Sequence, residues 1–205
     1  MQKLMRSRKQ RRGGFSLIEL LVVLAIIMII SAMAVPNIAN SLRVTRMKST
    51  GTAIAAPFEQ ARMEAIRRNA ANGLQVRNYV GADGRTRFYL DFNGNWSYDA
   101  GEVMVILPQG YSVPAAPPAG LNLKYPGNVA PLVLGLETEG AAPATVLGFN
   151  ARGLPCRGTP CNAMTSTTAG TNFATYYTDG QRTGAVAIYQ TGRIKVYTYD
   201  GTKYQ

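Results

Sequence analysis

At 205 residues, 46% of them hydrophobic, and with a formal charge of +11, the chain is long enough for one globular domain with an appended segment and too short for two large domains. It has two cysteines and no histidine, which excludes Ser-His-Asp and Cys-His catalysis and argues against an ordinary catalytic zinc site. The charge points toward nucleic acid or an acidic membrane but is uneven: residues 1–14 hold six basic residues and no acid, Phe88 to Gly148 sets Lys124 against five acids, and beyond Gly148 six basic residues face Asp179 and Asp200.

Lys3, Arg6, Arg8, Lys9, Arg11 and Arg12 precede an apolar run of 21 residues, Phe15 to Val35. As a helix this run is about 31 Å long, the thickness of a bilayer's hydrocarbon core. The basic excess before it places the N-terminus in the cytoplasm and everything after Pro36 outside. One reading is a removable secretory signal, with Ala32-Met33-Ala34 as an A-x-A cleavage site. Another is a plain membrane anchor. Neither accounts for Glu19, the only charge in the run, because a carboxylate inside a membrane is costly.

A third reading rests on resemblance. Residues 13–27, GGFSLIELLVVLAII, resemble the class III signal of type IV prepilins and type II secretion pseudopilins. The resemblance implies cleavage after Gly14 by a membrane-embedded prepilin peptidase, which also methylates the new N-terminal amine on Phe15. It implies that the apolar helix is retained, and that Glu19 pairs with the Phe15 ammonium of a neighbouring subunit, which offsets its burial and sets the register of assembly.

Pro36 is expected to bend or locally melt the helix. Beyond it, Ile54, Phe58, Ala61 and Ala65 recur at helical spacing, with Arg62, Arg67 and Arg68 on other faces, so residues 37–72 read as an amphipathic half that packs on its own domain. Pro57 makes a second bend plausible. Asn72-Gly73 reads as the stop, for a helix of roughly 55 residues in all.

Residues 73–205 read as a β-rich head. LQVRNYV and RTRFYLDF flank a turn at Gly81-Ala82-Asp83-Gly84, and VMVIL, PLVLGL, TVLGF, FATYYT, GAVAIYQ and RIKVYTY are further strand candidates, with a second hairpin at Gln190-Thr191-Gly192. The fold class expected is α+β, a long N-terminal helix whose second half packs on an antiparallel sheet. The proline-rich stretch 110–131 reads as a surface excursion. Residues 149–155, FNARGLP, and 192–196, GRIKV, resemble motifs near the C-terminus of the GspH/FimT group of minor pseudopilins and pilins.

Three features of the head bear on function. In DFNGNWSYDAGE, Asp91, Asn93, Asn95, Asp99 and Glu102 fall at the first, third, fifth, ninth and twelfth places of a calcium loop, but Trp96 occupies the sixth, where glycine is needed. The bland alternative is an Asx-rich strand connection, and no cofactor other than Ca2+ is suggested. Cys156 and Cys161 flank RGTP and are expected to form a disulfide outside the cytoplasm. Arg193 and Lys195 alternate on one strand, with Arg182, Lys203 and several tyrosines near in sequence, the combination that contacts DNA phosphates and stacks on bases. GRIK also resembles the GRxR element of DNA-binding FimT pilins, with Lys195 in place of the second arginine; a solvated basic edge that blocks sheet aggregation is the alternative.

The resulting expectation is a non-enzymatic minor pilin or pseudopilin in the inner membrane, its head periplasmic and its partners other pilin subunits, the prepilin peptidase, the membrane and, in the FimT-like alternative, DNA. A hydrolase or other enzyme is the remaining class, and the acids lack the paired, polar cleft it needs.

Overall fold

The computed structural model describes residues 14–70, 73–114, 132–141, 147–157, 172–199 and 204. The chain divides after Arg43 into two units. Helix α1, Leu17–Arg67, runs for 51 residues and crosses the division. It starts where the Ser16 carbonyl accepts the Leu20 N–H at 3.2 Å, so Ser16 is the N-cap. Glu19 is then the third helical residue, in the first turn, where the helix dipole favours a carboxylate. The spacing Ser16 to Glu19 is that of a capping box, a local reason for this residue pair.

The helix continues through Pro36 and Pro57 without interruption, so the melting expected at Pro36 is absent. It stops earlier than Asn72-Gly73. Asn69 takes the left-handed conformation at φ 49°, its N–H reaches the Ile66 carbonyl at 3.2 Å, and the Ala70 N–H reaches the Ala65 carbonyl at 3.0 Å. This is a Schellman cap with asparagine where glycine is usual, tolerated because a short polar side chain relieves the left-handed strain.

Within the second unit the helix buries Met47, Gly51, Ile54, Phe58, Ala61 and Ala65, at intervals of three and four residues. Among the described residues nine strands follow: β1 Leu74–Val80, β2 Thr86–Asp91, β3 Met104–Ile106, β4 Leu132–Val133, β5 Leu147–Phe149, β6 Pro155–Arg157, β7 Phe173–Thr178, β8 Thr183–Ile188 and β9 Ile194–Thr198. Among these, β6 was not expected, since it is short and begins with a proline. It lies at a sheet edge beside β5, where a missing N–H is tolerated.

Among the described residues the single sheet expected is two: one ordered β3-β2-β1-β5-β6, the other β4-β7-β8-β9, antiparallel except for the β4–β7 pair. Alternation assigns the faces. Leu74, Val76, Phe88 and Leu90 from the first sheet, and Phe173, Tyr177, Val186 and Ile188 from the second, share one core with the helix. Phe58 meets Phe88 edge to face at 6.1 Å between ring centres. Ala174, Tyr176, Ala185 and Ala187 point the other way, under Tyr189, Tyr197 and Tyr204.

On the outer face of the first sheet Arg77, fully buried, binds the Glu137 carboxylate and the Ala141 carbonyl. The Glu137 N–H donates to Asn78 Oδ1 at 3.2 Å, so residues 137–141 are strapped across β1, and the Gly140 N–H ties them to the Trp96 carbonyl of the β2–β3 loop at 2.8 Å. Burial pushes the Glu137 carboxyl from 4.5 up to about 7, against the opposing pull of Arg77. Because its folded-state value lies above the unfolded one, the stability it contributes is fully present below about pH 4.5 and lost as pH rises through 7. We expect stability to fall by about 1–3 kcal/mol over that window relative to Glu137→Gln, read by denaturant unfolding of both chains at each pH.

Candidate functional site

Gly14 and Phe15 lie exposed just ahead of α1, one turn before Glu19. The large apolar side chains from Phe15 to Leu42 are all exposed, Phe15 at 82% and Leu20 at 57%. Among the described residues α1 is the helix long and apolar enough to cross a membrane. A surface this extensive and this apolar requires lipid or protein over it. Glu19 is the single carboxylate on it, so a cation brought by whatever covers the helix meets one defined partner.

The 91–102 loop connects β2 to β3. The sharp turn required at the sixth place of a calcium loop is made by Trp96 itself, at φ 64°, a conformation a bulky residue adopts only under strain. Asp91 accepts the N–H groups of Gly94 and Trp96 at 2.6 and 3.0 Å, and Glu102 accepts those of Phe92 and Asp99 at 2.8 and 3.1 Å. Asn93 and Asn95 donate their side-chain amides to Asp99 Oδ2 at 2.6 and 2.7 Å while their oxygens accept backbone N–H groups two residues on. All five expected residues are thus gathered in one loop, and the loop closes through its own hydrogen bonds. Among the described residues no group of three or more acids, cysteines or histidines is placed to hold a metal.

Cys156 is buried on β6; Cys161 lies outside the described residues. Of the basic residues, Arg193 and Lys195 are exposed together at one end of β9. Lys195 Nζ stands 4.5 Å above the Tyr197 ring, and the Tyr197 and Tyr189 hydroxyls meet at 2.6 Å. Burial, with that hydrogen bond, pushes the Tyr189 phenol up to about 12, so it is a neutral group. Arg182 is not brought to this cluster. It sits in the β7–β8 turn, where Asp179 accepts its N–H at 2.7 Å, and the length of β8 separates it from Arg193. Lys203 lies outside the described residues.

The motifs around residues 149–155 and 192–196 come together on Arg62 of α1, a residue the sequence showed only as a solvated face. Arg62 Nη1 donates to the Gly192 carbonyl at 3.0 Å. A Cβ on Gly192 would stand 2.4 Å from the Gly153 carbonyl oxygen, and one on Gly153 2.7 Å from Ile66 Cδ1. Both glycines have φ above 70°, so conformation and space each require them. The two turns, one from each sheet, close against each other and the helix.

Comparison with known proteins bears on the N-terminus first. Residues 9–35 match the family model described as the prokaryotic N-terminal methylation motif. The pilin-like protein PilA1 of Thermus thermophilus is 38% identical over 92 residues, 44% of this chain and 56% of that protein, so the match spans little more than half of that relative's length. No solved structure matches. In its N-terminal motif and its architecture, one long apolar helix leading into antiparallel sheets, the chain is pilin-like.

Proposed function

We propose that the chain is a subunit of a type IV pilus or a type II secretion pseudopilus. A prepilin peptidase cuts it between Gly14 and Phe15 and methylates Phe15, the helix from Phe15 holds it in the inner membrane with the head periplasmic, and it then assembles with other pilin or pseudopilin subunits. Its work is mechanical and interfacial rather than catalytic. The observation that carries this reading is the exposed apolar stretch from Phe15 to Leu42 with Glu19 at its start, behind a methylation motif. In such a compartment Cys156 pairs with Cys161. The meeting of the two C-terminal motifs at Arg62 supports placement in the GspH/FimT group. Intact mass of the protein recovered from membranes tests the processing step: we expect a chain beginning at a singly methylated Phe15, and a start at Val35 overturns the reading.

A second reading, DNA capture by a FimT-like head, is favoured by the exposed pair Arg193 and Lys195 beside Tyr197. With Arg182 at the far end of β8, that surface offers two phosphate contacts. The expected salt dependence is therefore shallow: raising salt about fourfold weakens single-stranded DNA binding about sevenfold, and Arg193→Ala with Lys195→Ala removes the dependence. Absence of a gel shift at low ionic strength sinks the DNA reading and leaves the filament reading untouched.

A further inference from the structure

Among the described residues β9 is an edge of the sheet ordered β4-β7-β8-β9. Its ladder to β8 fixes which backbone groups are in use. Tyr199 N–H donates to the Thr183 carbonyl and Tyr189 N–H to the Arg193 carbonyl, so the hydrogen-bonded positions of the β9 side are 193, 195, 197 and 199. The N–H and C=O groups of Ile194 and Val196 therefore point away from β8, to the open side. Among the described residues Tyr204 closes only the far end of this edge, through its bridge to Tyr199.

Beside the open edge runs a groove between β9 and α1. One cleft of about 370 Å³ is lined by Glu59, Arg62, Met63, Ile66 and Ile194, and another of about 300 Å³ by Lys48, Thr52, Val196 and Thr198. Met63 is 65% and Ile66 49% exposed, large apolar side chains on the helix half that otherwise packs on the head. The opposite face of the same strand carries Lys195 and, at its start, Arg193, both exposed.

We propose that β9 is a strand-addition site for an extended peptide of a partner protein whose alternate residues are apolar and acidic. The backbone of such a peptide pairs with Ile194 and Val196, its apolar side chains enter the groove over Met63, Ile66 and Val196, and its acids lie across from Arg193 and Lys195. Charge selects this occupant over a second copy. Pairing β9 with its own copy sets Arg193 and Lys195 against like charges, which is destabilising, so the lysine that blocks self-association accepts an acidic strand.

The test uses the full chain in detergent and residue-resolved hydrogen exchange at the Ile194 and Val196 amides, the outward-facing groups. The probe is a short capped peptide of alternating valine and glutamate. At a peptide concentration about nine times its Kd these two amides should exchange about tenfold more slowly, while amides of β7 are unchanged. A peptide with lysine in place of glutamate should give no protection, and Arg193→Glu with Lys195→Glu, changes at exposed positions, should reverse the preference. No protection by the valine–glutamate peptide overturns the proposal, as does equal protection by the lysine peptide. Protection that grows with protein concentration in the absence of peptide also overturns it and assigns the edge to a second copy.

Discussion

On the proposed function, Glu19→Ala is expected to leave the chain in the membrane and take it out of the filament. Alanine makes the run from Phe15 to Val35 more apolar, so insertion is retained or improved. In the proposed assembly the effect is opposite, because each neighbour brings an ammonium on its processed Phe15 that leaves water as the helices pack. Removing one partner of a buried ion pair costs about 3–5 kcal/mol, since the remaining charge is left without compensation. That converts to a fall of about two to four orders of magnitude in the association constant per contact, and many contacts repeat along the proposed filament. The expected result is a processed, methylated subunit that accumulates in the membrane fraction and is missing from sheared filaments. Glu19→Gln should behave almost as badly, because it keeps the capping spacing from Ser16 and loses the charge. That variant separates the two roles open to this residue: normal incorporation of Glu19→Gln would mean that the side chain serves the first turn of its own helix and nothing further.

The methylation motif over residues 9–35 and the apolar helix behind it were legible in the sequence because that pattern is local, a run of basic residues, a glycine pair and an apolar stretch in immediate succession. The helix and eight of the nine strands among the described residues were legible for a related reason: periodicity reports which face of an element is buried without saying against what. What stayed hidden depends on chain segments far apart in sequence. Residues alternating along β7, β8 and β9 do not announce that they form a second sheet, and the helix end at Asn69 was obscured by the stronger glycine signal at Gly73. Arg62 reads as a solvent-facing residue until the β5–β6 and β8–β9 turns are laid over it. Arg182 and Arg193 are eleven positions apart, but a β-strand lies between them, so closeness in sequence became separation across a sheet.

Gly51 is the strongest case of a residue whose reason is nonlocal. In the middle of a helix glycine is about 1 kcal/mol worse than alanine, so local propensity predicts that Gly51→Ala stabilises the protein. Packing predicts the reverse. A Cβ at this position would stand 2.2 Å from Tyr177 Oη and 2.4 Å from Val196 Cγ1. The tyrosine has nowhere to retreat, since its ring lies over Gly184, where a Cβ would come within 2.2 Å of Cζ, and its hydroxyl donates to the Met47 carbonyl at 3.1 Å. Burial raises the Tyr177 phenol well above its ordinary value, so it is a neutral donor committed to that bond. Overpacking costs about 1–3 kcal/mol and an orphaned buried hydroxyl a similar amount, together more than the helix gains. We expect Gly51→Ala to lose about 2–4 kcal/mol net and to lower Tm by about 5–15 °C. Tyr177→Phe in the same chain removes the atom in closest conflict, so the double variant should be less destabilised than the sum of the two single ones by at least about 1 kcal/mol. A Tm that rises on Gly51→Ala would show that helix propensity outweighs the contact between α1 and β7, and that the head grips its helix elsewhere along the stripe from Met47 to Ala65.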